Sequence, residues 1–291
     1  MIYRDGKDYL EAAQKRVLLF GMSGLGKTYL SNLLRESPGP AGGWFHYSVD
    51  YRIGTHYMGE YIADMFKREA MKVPLLRELL LTDSVYIASN ITFDNLAPLS
   101  TYLGKPGDPA KGGLPFAEYC RRQEEHRAAE VAATLDTARF ISRAQELYGY
   151  ANFICDSSGS ICEVVSPDDP ADPVLAQLED TLLMVWIEGT EAHRDQLIAR
   201  FDRAPKPIYY NPAFLAGLWA EYLAQTGLPE DRIDPDAFLR FGYARLLAHR
   251  QPRYRAMARR GVTVTADEVA GVRMPGDFDA LIARALDRRA A

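Results

Sequence analysis

Val17-Leu18-Leu19-Phe20-Gly21-Met22-Ser23-Gly24-Leu25-Gly26-Lys27-Thr28 is an apolar run that breaks at a glycine and continues as G-x-x-x-x-G-K-T. The four apolar residues suit a buried strand, and Thr28-Tyr29-Leu30-Ser31-Asn32-Leu33-Leu34 behind the loop suits a helix. Backbone N–H groups can turn inward around an anion only where side chains neither clash nor forbid the dihedrals. That is the reason for glycine at 21, 24 and 26. The stretch Gly21, Met22, Ser23, Gly24, Leu25, Gly26, Lys27, Thr28, Tyr29 is therefore expected to cradle the phosphates of a nucleoside triphosphate. Lys27 is expected to reach the β- and γ-phosphates, and Thr28 to place its hydroxyl on Mg²⁺. The positive end of the helix that begins at Lys27 adds to the same site.

Outward from this stretch, four further runs have strand character. Trp44 to Val49 ends at Asp50, Asn152 to Cys155 at Asp156, Leu182 to Ile187 at Glu188, and Val262 to Thr265 near Asp267. Apolar, β-rich runs separated by helical stretches predict an α/β fold, a three-layer sandwich around a five-stranded parallel sheet. Ligands of such sheets sit at the carboxyl ends of the strands, where Asp50, Asp156 and Glu188 fall.

The long segment between the second and third strands reads as helical. Gly59 to Leu81 is interrupted at Pro74, and Phe116 to Tyr148 forms one or two helices. Between them, Gly104 to Pro115 (G-K-P-G-D-P-A-K-G-G-L-P) suits neither helix nor strand and is expected as an exposed, mobile loop. The expected organisation is a nucleotide-binding core of residues 1–52 and 151–291, with 53–150 as a helical insertion that binds an acceptor or a partner.

Composition is that of a globular protein: 291 residues, 47% hydrophobic, 25% charged, net charge −5. That balance argues against a dedicated nucleic-acid binder, and the arginines between 240 and 260 read as a solvated helix face. Cys120, Cys155 and Cys162 lack C-x-x-C spacing, so reduced thiols are expected. No histidine has metal-ligand spacing. The Met1–Lys7 stretch has no apolar signal core, and Leu182–Ile187 is too short to cross a bilayer, so the expected location is cytoplasmic.

The order of these features resembles the P-loop kinase family that includes shikimate, gluconate and nucleoside monophosphate kinases. The likeness rests on Gly21–Thr28, on Asp50-Tyr51-Arg52, on Glu191–Pro207 (E-A-H-R-D-Q-L-I-A-R-F-D-R-A-P-K-P) and on Val262–Val269. It implies an acid and an arginine for the acceptor at Asp50 and Arg52. It also implies lid arginines at Arg200 and Arg203, and a loop after the last strand that lies against adenine. The chain departs from the family where Asp156-Ser157-Ser158-Gly159-Ser160 replaces D-G-x-P-R or G-G-G, and in the length of 53–150.

The expected chemistry is ATP- and Mg²⁺-dependent phosphoryl transfer to an unidentified small-molecule acceptor, a hydroxyl. Lys27, Arg200 and Arg203 neutralise charge, and Asp50 orients or deprotonates the acceptor. Arg52, Ser157 and Ser158 contact the acceptor, while Thr28 and Asp156 hold the metal. The alternative is a regulatory ATPase that controls a protein partner through 53–150. No N-K-x-D motif supports a GTPase.

Overall fold

The computed structural model describes residues 2–36 and 43–291. The chain runs α1 (Gly6–Glu11), β1 (Arg16–Phe20), α2 (Lys27–Arg35), β2 (Trp44–Ser48), α3 (Val49–Arg52), α4 (Gly59–Ala70), α5 (Pro74–Leu81), α6 (Ala97–Leu103) and α7 (Phe116–Glu146). It continues through β3 (Asn152–Asp156), α8 (Ile161–Val164), α9 (Pro173–Thr181), β4 (Leu183–Glu188), α10 (Glu191–Arg203), α11 (Pro212–Thr226), α12 (Pro235–Ala258), β5 (Val262–Thr265), α13 (Ala266–Ala270) and α14 (Pro275–Ala290).

The five strands form one all-parallel sheet in the order β2-β3-β1-β4-β5. The three inner strands are apolar without alternation and buried over nearly their whole length, as a sheet covered on both faces requires. From β1 the chain moves past β3 to the β2 edge, whereas from β3 it moves past β1 to β4. The carboxyl ends around β1 are thus a topological switch point, where an open α/β sheet has a crevice. The glycine loop leaves β1 at that point.

The chain divides into two compact units. The sheet-bearing unit comprises residues 1–49, 131–204 and 242–291, and the helical unit comprises 50–130 and 205–241. This differs from the expected division at 52/53 and 150/151, for a reason seen in α7. Its second half belongs with the sheet. Ala133 O accepts from Tyr47 Oη at 2.6 Å, Leu135 O accepts from Gln177 Nε2 at 2.8 Å, and Phe140 meets Tyr47 at 5.0 Å between ring centroids. Residues 205–241 belong instead with the first half of α7. Gln123 bridges the backbone at Ile208 O and Tyr210 N, and Phe116 stacks on Trp219 at 4.6 Å.

Gly104–Pro115, expected as exposed and mobile, is exposed at residues 109–112 and at Pro115 but is tied into the helical unit by its backbone. Gly107 N donates to Leu114 O at 2.9 Å, Leu114 N to Lys105 O at 2.8 Å, and Asp108 N to Ile233 O at 2.8 Å. Pro106, Gly107 and Gly113 are buried. Gly107 has φ +134°, and a Cβ there would sit 2.5 Å from Ile233 O, so only glycine permits this approach. The glycines and prolines do form turns here, and these backbone groups are satisfied by the fold rather than by water.

Candidate functional site

The loop from Gly21 to Gly26 is built on three positive φ angles: +135° at Gly21, +83° at Gly24 and +101° at Gly26. Gly26 is the N-cap of α2, and no side-chain bond caps that end. Met22 and Leu25 bury their side chains, while Ser23, Gly24, Thr28 and Tyr29 are exposed. The buried pair anchors the loop, and backbone at the exposed positions remains open to a ligand. A Cβ at Gly21 would lie 2.7 Å from Ile187 O, and one at Gly26 2.7 Å from Val269 Cγ1, so the loop is held against β4 and α13.

Lys27 is buried, and its ammonium donates to Gly21 O at 2.8 Å and Met22 O at 3.1 Å. Thr28 Oγ1 donates to Asp156 Oδ2 at 2.8 Å. Burial pushes the Asp156 carboxyl above its ordinary value, opposed by the Lys27 charge and the Thr28 hydrogen bond. Two hard oxygen donors therefore meet at the switch point beside a lysine. That donor set fits Mg²⁺, which binds through one or two protein oxygens and keeps its remaining positions for water and phosphate. Among the described residues no cluster of three or more His, Cys, Asp or Glu is placed to hold a metal by itself. Tyr29 Oη donates to Val272 O at 2.9 Å.

Arg200 and Arg203 share the last turn of α10, and both are exposed. Arg200 is the nearer to the loop, with Nη2 3.6 Å from the Cβ position of Gly24. Arg203 makes no comparable approach to a loop glycine. Asp50 and Arg52 lie in α3, two and four residues past the end of β2, and belong to the helical unit. There Arg52 covers the Tyr57 ring at 5.4 Å and Tyr51 stacks on Phe93 at 4.6 Å.

Ser157 and Ser158, expected to contact an acceptor, are turned inward. They are buried, with the Ser157 hydroxyl donating to Ser158 O at 3.3 Å and the Ser158 and Ser160 hydroxyls 2.7 Å apart. The turn that holds them is fastened by residues the sequence reading placed on a solvated face. Arg250 donates through Nη1 to Gly159 O at 3.0 Å and through Nε to Glu163 Oε1 at 3.1 Å. Tyr254 Oη donates to the same Gly159 carbonyl. Arg253 donates to Cys162 O at 2.6 Å and Val165 O at 2.8 Å.

Burial alone would raise the Glu163 carboxyl. The His249 ring, with Nε2 3.4 Å from Oε2, and the Arg250 charge outweigh it and hold the group below the ordinary carboxylate value. A Cβ on Gly159 would lie 2.8 Å from Ser23 Oγ, so this fastened turn sits directly against the glycine loop. Arginine spacing along α12 carried no signal for this, because the acidic partner lies 87 residues away in sequence.

A cleft of about 530 Å³ opens beside the loop in the same unit, lined by Met22, Gly189, Arg194, Gln251, Thr265 and Asp267 among others. Thr190 and Thr265 each close a capping box, fixing the entry turns of α10 and α13 along this cleft. Among the described residues the three cysteines form no disulfide. No helix there is long and apolar enough to cross a membrane. Comparison of the chain with protein-family models, with curated proteins and with solved structures returns no match.

Proposed function

We propose that this chain binds ATP with Mg²⁺ on the loop Gly21–Thr28 and transfers the γ-phosphate to a hydroxyl of a small-molecule acceptor. The observation that carries this reading is the Thr28–Asp156 hydrogen bond of 2.8 Å at the foot of a three-glycine loop whose lysine is buried within it. Phosphoryl transfer asks a protein for positioning and charge neutralisation more than for covalent chemistry. Backbone N–H groups from Ser23 to Thr28 serve as the cradle, and Lys27 supplies a positive charge already desolvated by burial. Arg200, beside Gly24, is placed to meet charge at the loop's exposed side.

Thr28 and Asp156 would hold the metal, which supplies neutralisation of the β- and γ-phosphate oxygens. The acceptor proton passes to a carboxylate base, for which Asp50 is the candidate from its place after β2, as the new O–P bond forms and the bond from γ-phosphorus to the bridging oxygen breaks, its electron pair leaving with ADP. The cleft of about 530 Å³ beside the loop is of the size a nucleoside needs.

The test is calorimetric titration with ATP and MgCl₂, together with mass detection of phosphorylated products from pooled metabolites. Lys27→Ala should lose ATP affinity or turnover by at least ~10²-fold, since it removes the charge that meets the β/γ-phosphates. Unchanged affinity and turnover in a folded Lys27→Ala protein would remove the reading.

A further inference from the structure

The helical unit holds a cavity of about 890 Å³, within the range of small-molecule sites. It lies between the segment 94–101, the loop 104–112 and the start of α12. Two ion pairs join that loop to α12, Lys105 to Asp236 and Lys111 Nζ to Asp234 Oδ2 at 3.0 Å. Asp234 Oδ1 also accepts from the backbone N–H groups of Asp236 and Ala237, so these walls are held before any ligand arrives. Lys206 and Asp94 line the same cavity, are exposed, and make no side-chain hydrogen bond or ion pair among the described residues. A ligand there meets an unpaired ammonium donor and an unpaired carboxylate acceptor.

The lining selects a chemical class. Lysines 105, 111 and 206 balance aspartates 94, 234 and 236, so a net anion or cation meets as much repulsion as attraction. Among the described residues no aromatic side chain lines the cavity, and a flat or apolar ring finds no stacking surface there. A hydroxyl, by contrast, can accept from an ammonium and donate to a carboxylate at once. Several hydroxyls on one small frame match this lining.

The cavity is also tied to the helix that carries the candidate base. Tyr51 stacks on Phe93 at 4.6 Å, and a Cβ at Gly54 would lie 2.9 Å from Ile91 Cδ1. Asp50 adjoins Tyr51 and Asp94 adjoins Phe93, so α3 and the turn after it pack on the segment that runs into the cavity wall.

We propose that this cavity binds a neutral polyol, a sugar or cyclitol, through Lys206, Asp94 and the paired charges beside them. Resting on the kinase reading above, that polyol is the phosphoryl acceptor. One of its hydroxyl oxygens bonds to the γ-phosphorus, the hydroxyl proton goes to the carboxylate base, and the bridging electron pair leaves with ADP.

Saturation-transfer NMR on the full chain, with myo-inositol, D-ribose, D-glucose and D-mannitol at about 1 mM each, reads binding in the absence of ATP. Mass detection after addition of ATP and MgCl₂ reads transfer. At least one of the four should bind wild type and be phosphorylated. Asp94→Ala/Lys206→Met should weaken that binding by ~10-fold or more, the scale of hydrogen bonds to charged groups. Both positions are exposed and unpartnered, so the variant should melt with wild type. No binding by any of the four, binding unchanged in the double variant, or displacement of the polyol by inorganic phosphate would each overturn the site. A polyol that binds beside ATP but gains no phosphate would overturn its role as acceptor. A polyol that binds where ATP does not would remove the kinase reading and leave the site standing.

Discussion

Arg250→Met tests whether the turn after β3 is held by a buried ion pair. In the wild type the Arg250 side chain is 10% exposed and that of Glu163 not at all, with Nε 3.1 Å from Oε1. The substitution leaves a buried carboxylate without its guanidinium and takes one donor from Gly159 O, which keeps the Tyr254 hydroxyl. Removing one partner of a buried pair costs about 3–5 kcal/mol, chiefly the uncompensated charge. At this chain length about 2 °C of melting temperature follows each kcal/mol, so the variant should melt roughly 6–10 °C lower at pH 7.

Acid provides a second arm. Glu163 titrates below its ordinary value in the fold, so the stability it contributes is fully present above about pH 4.5 and is lost as pH falls through the lower folded value. Without Arg250, one of the charges that offset burial is gone and the carboxyl moves upward. The variant's deficit should then be greatest at neutral pH and shrink as acid protonates Glu163. Glu163→Met/Arg250→Met, which removes both charges, should recover most of the loss. The assay is calorimetric melting of the three proteins at pH 4, 5.5 and 7. A loss below ~1 kcal/mol, or a deficit that grows in acid, would refute the ion-pair argument.

Asp156→Asn should separate stability from function. The Asp156 carboxyl is raised by burial, so the cost of its charge is absent below the ordinary value and fully present above the folded one. A permanently neutral Asn should therefore raise the melting temperature at pH 7 while weakening Mg²⁺-dependent ATP binding about 10-fold or more. A lower melting temperature with an unchanged Mg²⁺ titration would contradict both arms. Gly26→Ala forces an L side chain to φ +101° with its Cβ 2.7 Å from Val269 Cγ1. It should cost about 2 kcal/mol in urea denaturation, and a loss under ~0.5 kcal/mol would show that the loop relaxes freely. Asp50→Asn should keep ATP affinity but lower acceptor-dependent product formation by roughly 10²–10⁴-fold, the scale of general base assistance. Unchanged product formation would move the function towards an ATP-controlled regulator.

The local features of this chain were legible because short-range physics sets them. An apolar β-rich run ending at Gly21 can only leave the sheet there, and each of the four later strands ends within a residue or two of its expected acid. Pro74 divides the helical stretch 59–81 into two helices as its missing N–H requires. Asp156 as the last residue of β3 and Thr28 in the first turn of α2 were both visible. Their 2.8 Å contact follows only from pairing β3 directly beside β1.

Tertiary structure decided what distance in sequence conceals. Arginines are strewn around α12, and the one that enters the core is set by a glutamate on α8 that no local pattern reveals. The two halves of α7 read alike in sequence, yet one packs on the sheet-bearing unit and the other on the helical one, because packing partners and not periodicity assign them. Ser157 and Ser158 stand at the edge where ligands bind but point inward, since the turn's backbone is fastened from α12. The leucines of α5 have the composition of a core, and only the fold leaves them exposed. Sequence thus fixes which segments become strands, helices and phosphate-shaped turns, through dihedral preference and apolar periodicity. The side chains that meet depend on strand order and helix docking, which are properties of the whole chain.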